Sequence, residues 1–156
     1  MSVALPDGKG WRIDDHSQQE LVATHAPTRS KVVVAVFHAD EIVGRTQCEA
    51  LARARKIVPT GDLRTLEEEV TFTQQTFDTR VWVALEAGGG PGGPLTGHVM
   101  AFGGFLRKCF VFIFSTQVDA ASDEPVLASR LAFARARVLG GLVLDDALQP
   151  KVRPPN

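Results

Sequence analysis

The residues of this chain most able to do chemistry are its cysteines and histidines, and they are few and dispersed. The four histidines have no spacing typical of a zinc site, although two of them could meet Asp40 across a sheet: His16, His25, His38 and His98. Of the two cysteines, Cys48 and Cys109, the second follows two basic residues that would favour a thiolate. No histidine stands near it in the sequence to act as its base.

Other reactive patterns are also incomplete. The segment "GGGPGGPLTGH" is rich in glycine but lacks the Gly-Lys-Ser/Thr ending of a phosphate-binding loop. None of the serines lies in a G-x-S-x-G elbow, and the acidic run at 67–69 is typical of a solvated surface. We therefore predict no catalytic, cofactor-binding or metal-binding residues. We also predict that no nucleophile, base and orienting group lie within hydrogen-bond distance of one another.

Two tryptophans are candidates for partner binding. Trp82 is flanked by Val81 and Val83, which indicates either a core position or a large half-exposed anchor. Trp11 lies near the N-terminus and could cover one end of a sheet. The arginines of the two predicted helices, Arg130 and Arg135 among them, are read as a solvated face.

Strands must position most of these residues. The segments 11–15, 20–26, 31–38, 69–76, 79–86 and 95–102 read as strands, and "RKCFVFIFSTQ" from Arg107 as the last one. A first helix follows Thr46 and Glu49, which have the spacing of a capping box. A second begins near Asp123 and repeats apolar residues at steps of three and four: Leu127, Leu131, Ala134, Val138 and Leu142.

Two of these strands are apolar on both faces, so both faces require cover. In the last strand, Phe110, Phe112 and Phe114 should face one helix, and Val111 and Ile113 the other. We therefore expect an α/β (α+β) fold: a three-layer α/β/α sandwich, with a mainly antiparallel sheet of six or seven strands flanked by two main helices.

Length and charge limit the remaining possibilities. The 156 residues suit one domain, placed at 1–146, with a loose C-terminal tail at 147–156. A formal charge of -1 argues against a nucleic-acid partner. No apolar run is long enough for a transmembrane segment. The N-terminus lacks the pattern of a secretory leader, so the chain is either cytosolic or an exported form without its leader.

The cysteines bear on that alternative. Cys48 shares a helical face with Leu51 and Ala52, and Cys109 shares a strand face with Val111 and Ile113. Both side chains should therefore meet between helix and sheet, and we predict a disulfide between Cys48 and Cys109. Such a bond persists in oxidising compartments, which favours a periplasmic or outer-membrane-associated location over the cytoplasm.

The order of elements resembles a known superfamily. "LPDGKGW", "VVVAVFHAD", "TFTQQTFDTRVWVALEA" and "CFVFIFSTQVD" together resemble the PsbP-like sandwich over residues 3–146. That superfamily includes a photosystem II extrinsic subunit, a Ran-binding factor, bacterial DcrB-type lipoproteins and secretion chaperones. The resemblance implies a binding module or adaptor with a protein partner and no enzymatic activity.

Three hypotheses for function follow. The first is a non-enzymatic, envelope-associated adaptor derived from a bacterial lipoprotein. The alternative is a cytosolic secretion chaperone of the same fold that holds an apolar segment of its client. The third, from a different class, is a small hydrolase or thiol enzyme, which would require a convergent polar pocket.

Overall fold

Seven strands and two α-helices form the framework of the described part of the protein. The computed structural model describes residues 3, 5–6, 9–16, 19–73, 76–87 and 92–144. The strands are β1 (Trp11–His16), β2 (Glu20–His25), β3 (Ser30–His38), β4 (Leu63–Thr73), β5 (Phe77–Ala87), β6 (Leu95–Phe105) and β7 (Lys108–Val118). The helices are α1 (Arg45–Ala54) and α2 (Glu124–Phe133), and α2 continues as a π-helical stretch, Ala134–Leu139.

All seven strands belong to one antiparallel sheet, in the order β1-β2-β3-β7-β6-β5-β4. Neighbours in sequence pair through hairpins, as short connections require. The exception is the segment with α1, which carries the chain from β3 across the sheet to β4 at its far edge. As a result β7 lies at the centre of the sheet and β1 and β4 form its two edges.

Side-chain alternation along β7 divides the core into two parts. Phe110, Phe112 and Phe114 pack under α2, whereas Val111 and Ile113 pack under α1, as predicted. We call these two sides of the sheet the α2 face and the α1 face. The predicted apolar positions of the second helix are all buried on the α2 face. Gly97 of β6 lets α2 approach closely, because a Cβ there would lie 2.7 Å from a methyl carbon of Leu131.

On the α1 face, α1 starts two residues earlier than the predicted capping box. Its N-cap is Gly44, and Gln47 Oε1 accepts a hydrogen bond from the Gly44 N–H at 3.0 Å. Gly44 can lie on the sheet because the residue beneath it in β6 is Gly104: a Cβ there would lie 2.7 Å from the Gly44 carbonyl carbon. The prediction of Thr46 and Glu49 as the cap was therefore wrong.

The expectation of a three-layer α/β/α sandwich was also wrong, because the fold is dominated by its sheet. Each α-helix has ten residues, or a length of about 15 Å, whereas seven strands extend about 29 Å from edge to edge. α1 packs on β5, β6 and β7, and α2 packs on β6 and β7. Beyond these central strands the helical cover is sparse, with β4 held by the ion pairs of Arg135, in the stretch that continues α2, to Glu67 and Glu69, so no complete helical layer forms.

Strand β4 begins six residues before the predicted strand and includes the acidic run. The predicted loose tail at 147–156 lies outside the described residues, as does most of the glycine-rich segment at 88–93. Among the helices of the described part, none is long and apolar enough to cross a membrane.

Candidate functional site

The two cysteines meet where α1 packs on the sheet. Cys48 and Cys109 form a disulfide, with their Cα atoms 5.4 Å apart and a sequence separation of 61. Both are fully buried on the α1 face. The Cα separation lies within the usual range for a disulfide. The bond fixes α1 over the centre of the sheet, and it removes both thiols from any role as nucleophile.

Three polar side chains form a row across β5, β6 and β7 on the same face. His98 Nδ1 lies 2.7 Å from Ser115 Oγ, and His98 Nε2 lies 3.1 Å from Glu86 Oε2. His98 and Ser115 are direct cross-strand partners. The prediction that no nucleophile, base and orienting group would lie within hydrogen-bond distance was therefore wrong. Sequence reasoning missed the row because its members are 12 and 17 residues apart and meet only through strand register.

Burial controls the charge of this row. Desolvation lowers the pKa of His98 below its ordinary value, and the hydrogen bond and charge of Glu86 raise it by less. His98 is therefore neutral near pH 7. A shallow depression beside Ser115 is lined by Lys31, Lys56 and Thr60. Ser115 lies within the β7 ladder, where backbone N–H groups bond to neighbouring strands and are not free to stabilise an oxyanion.

Next to β4, the last strand of the sheet, Trp82 lies near exposed apolar side chains. Its cross-strand partner in β4 is Glu68, and the Arg80 guanidinium lies 4.0 Å from its ring centroid. The Trp82 and Phe102 rings form a T-shaped pair with their centroids 6.5 Å apart. Within the described residues, the buried Trp82 Nε1 has no hydrogen-bond partner. On the same face, Val70 and Phe72 are 54% and 67% exposed. We call β4 with Trp82 and Arg80 the β4 edge.

The acidic run lies at the middle of this edge and is ion-paired rather than merely solvated. On the α2 face, Glu67 and Glu69 both pair with Arg135 of the π-helical stretch. On the α1 face, Glu68 pairs with Arg80, with Nε and Oε1 2.7 Å apart. Three carboxylates therefore share two guanidinium groups, and the middle of the β4 edge has one excess negative charge. The prediction of a solvated Arg135 was wrong.

The other tryptophan, Trp11, lies beside a cavity near the opposite edge of the sheet. Its Nε1 donates to the Pro6 carbonyl at 2.7 Å, and its ring lies 5.1 Å from that of His25. The cavity, of about 190 Å³, is lined by Pro6, Trp11, His25, Thr28, Ser30, Phe114, Ser129, Arg130 and Phe133. Trp11 is half-buried and packs against the α2-face core. The two tryptophans therefore belong to separate regions.

Arg130 is the cation of this cavity, and it is half-buried rather than solvated as predicted. Its Nη1 donates to the carbonyls of Thr28 and Gln117 and to Thr116 Oγ1, at 3.2–3.3 Å. His25 is engaged at both ring nitrogens, with Thr28 Oγ1 at 2.6 Å and the Lys9 carbonyl at 2.8 Å. These bonds connect α2 to the turn between β2 and β3.

For a metal ion, the described residues offer no group of three or more His, Cys, Asp and Glu side chains. His25 on β2 and His98 on β6 lie on opposite faces of the sheet. Each is already hydrogen-bonded to neighbouring protein groups. The possible meeting of two histidines with Asp40 therefore does not involve these two.

No family model matches the chain, and no curated protein matches it.

Proposed function

We propose that this protein is a non-enzymatic binding module that takes an extended segment of a partner protein along the β4 edge. The observation that carries the proposal is an eleven-residue edge strand whose side chains are exposed along most of its length. A strand at the end of a sheet presents unpaired N–H and C=O groups on its outer side. A partner strand that pairs with them gains main-chain hydrogen bonds, and side-chain contacts give specificity.

The exposed side chains of β4 favour such a partner. Val70 and Phe72 are two residues apart, so they project from one face and would flank the apolar side chains of an added strand. Trp82 and Arg80 continue that surface onto β5. Long exposed edges with large apolar residues promote aggregation unless they are covered, and covering by a partner removes that liability.

The charge at the middle of the edge indicates the chemistry of the partner segment that would face it. The excess negative charge at Glu67, Glu68 and Glu69 favours a strand with lysine or arginine between its apolar residues. A second copy of this chain placed with its acidic run opposite would instead oppose like charges, which destabilises a strand pair. We therefore assign the edge to a basic, apolar-alternating segment of another protein.

A peptide experiment tests this assignment. Fluorescence anisotropy would compare labelled peptides of alternating valine and lysine with peptides of alternating valine and glutamate. We expect the lysine series to bind more tightly, and we expect Val70→Ser/Phe72→Ser to weaken its binding about ten-fold or more through lost apolar contact. Ile42→Ser is the matched control, since Ile42 is an exposed apolar residue outside the strand, and it should leave binding unchanged.

Three results would contradict the assignment. Equal binding of the two peptide series would remove the role of charge. Equal weakening by Ile42→Ser would remove the role of β4. A chain that sediments as a dimer, and becomes a monomer with Val70→Ser/Phe72→Ser, would assign the edge to a second copy.

The disulfide supports an envelope-associated adaptor over a cytosolic chaperone in this proposal. A buried Cys48–Cys109 bond is expected where proteins fold under oxidising conditions. Thiol titration of the unfolded, unreduced protein purified from its native cells should find no free thiol. Two thiols per chain would instead favour the cytosolic secretion chaperone, whose client would occupy the same edge. The resemblance to PsbP-like proteins stays a prediction.

A hydrolase is the second candidate, because Ser115, His98 and Glu86 have the residue types of a catalytic triad. A fluorophosphonate probe tests it directly. Labelling that Ser115→Ala abolishes would support a nucleophilic serine, and the binding-module proposal would then lose its claim that the protein has no enzymatic activity. We expect no labelling, because the row lies within the strand ladder without free backbone donors.

A further inference from the structure

We propose that the cavity beside Trp11 binds a small monocarboxylate with a six-membered ring or an apolar group of similar size. This ligand site is separate from the β4 edge, because it lies on the α2 face beside β1 and β2. We call it the Trp11 cavity. The proposal rests on its size, its aromatic lining and the single cation in its wall.

The size and lining fit a ring. A volume of about 190 Å³ exceeds the 150 Å³ of an engineered apolar cavity that holds benzene. Trp11, Phe114 and Phe133 contribute aromatic surface, which favours offset or edge contacts with a second ring. Phe133 is 45% exposed and Ser129 is also exposed, so the two mark the side that opens to solvent. A ligand in the cavity would cover part of the Phe133 ring.

The cation selects a carboxylate. Within the described part of the chain, Arg130 forms no ion pair with a carboxylate, and only Nη1 has hydrogen-bond acceptors. Those three acceptors are neutral and lie at 3.2–3.3 Å. A guanidinium has five donors in a planar fork that matches a carboxylate. A ligand carboxylate would supply the missing counter-charge through short, charge-assisted hydrogen bonds.

The other polar groups around the cavity leave Arg130 as the main polar contact. Both nitrogens of His25 and the Trp11 N–H are already bonded to protein oxygens. Ser30 Oγ donates to Thr116 Oγ1 at 2.8 Å. Asp119 and Asp123 lie in a neighbouring depression that Arg130 also lines, but Asp119 pairs with Arg29. With one lining cation and no lysine, the site suits a singly charged ligand rather than a phosphate.

Trp11 itself reports on occupancy. A Trp82→Phe background leaves Trp11 as the one tryptophan of the chain, and its fluorescence would be followed while benzoate or its neutral analogue benzyl alcohol is added. We expect saturable binding of benzoate with Kd about 1 mM or tighter, an ordinary value for a ligand of this size. Benzyl alcohol should bind about ten-fold more weakly, because it lacks the charge.

Variants locate the effect. Arg130→Met should weaken benzoate binding about ten-fold and leave benzyl alcohol unchanged, while Arg137→Met, a neighbouring exposed arginine, should change neither. Because Arg130 also connects α2 to the β2–β3 turn, a second variant avoids any effect on folding: Phe133→Ala removes an exposed ring and should weaken both probes alike.

Four outcomes would overturn the proposal. They are no change in Trp11 fluorescence up to about 10 mM of either probe, ten times the expected Kd; equal affinity for both probes; equal loss of benzoate binding in Arg137→Met and Arg130→Met; and unchanged binding of both probes in Phe133→Ala.

Discussion

The two faces of the sheet are stabilised in different ways. The α2 face has a continuous apolar core that extends from β2 to β5 and includes three phenylalanines of β7 and one of β5. The α1 face has a smaller core of eight buried residues, together with a disulfide and the hydrogen-bonded row of Glu86, His98 and Ser115. Hydrophobic burial dominates the first face, whereas covalent and polar links contribute much of the second.

The difference shows where a small protein can leave surface open. A single ten-residue helix is too short to cover the α1 face. The disulfide holds that helix over β7, and the outer strands therefore stay exposed on this face. Val70 and Phe72 of β4 are the result. The face with the weaker core is therefore the one on which the apolar side chains of the proposed partner-binding edge are exposed.

The largest difference between the faces should appear in truncations along β7. Phe112→Ala, on the α2 face, should lower the free energy of unfolding by about 4 kcal/mol, because it leaves a large cavity in a closed core. Ile113→Ala, on the α1 face, should lower it by about 2 kcal/mol, because Ile113 lines an open depression that water can enter. Urea denaturation measures both. A larger loss for Ile113→Ala would reverse the comparison.

Reduction of the disulfide should lower the free energy of unfolding by about as much as Phe112→Ala does, and its effect should be on the α1 face. Opening a bond that spans 61 residues removes about 4 kcal/mol in the chain-entropy model. Urea denaturation with and without a reductant measures this loss. Cys48→Ala/Cys109→Ala is the control, since its stability should not respond to reductant. Hydrogen exchange should accelerate in α1 before α2; faster exchange in α2 alone would show that the bond does not support the α1 face.

The polar row should give the α1 face a dependence on pH. The pKa of folded His98 lies below its unfolded value of about 6.5, so the unfolded chain binds the proton first as pH falls. The stability that neutral His98 contributes is therefore fully present above about pH 6.5 and is lost as the pH falls toward the folded pKa. The slope is at most about 1.4 kcal/mol per pH unit. Urea denaturation between pH 7.5 and 5 measures this slope, and we expect it to be smaller in His98→Gln than in the unchanged protein. It should persist in His38→Gln, an exposed control; an equal decrease in both would contradict the role of His98.

The smallest effect on stability should come from the exposed apolar residues. Val70→Ser/Phe72→Ser removes no buried contact, so the free energy of unfolding should change by about 0.5 kcal/mol or less per residue. Thermal denaturation measures it beside peptide binding. A loss of about 3 kcal/mol would mean that these side chains support the sheet, and the proposal that they serve a partner would fail.

Sequence patterns predicted the parts of the fold that depend on local periodicity. Alternation in "FVFIF" assigned the two faces of β7, and steps of three and four assigned the buried side of α2. The same periodicities placed Cys48 and Cys109 toward each other. These features follow from 2.0 and 3.6 residue repeats, which a single sequence displays directly.

Features that depend on register and on helix length could not be read in this way. The alignment of His98 with Ser115 depends on which residues of β6 and β7 pair, and the acidic run concealed the first half of β4. Arg130 looked like a surface residue because its acceptors are backbone carbonyls of distant segments. The three-layer expectation failed because two short helices cannot span seven strands.

The most direct test of the account is hydrogen exchange of the backbone amides with and without the alternating valine and lysine peptide. If a partner strand pairs with β4, the outward amides between Leu63 and Thr73 should become protected when the peptide is saturating. Amides of the opposite edge, Trp11–His16, should exchange at unchanged rates. Protection at that opposite edge, or none in β4 despite bound peptide, would contradict the assignment of β4 as the partner-binding edge.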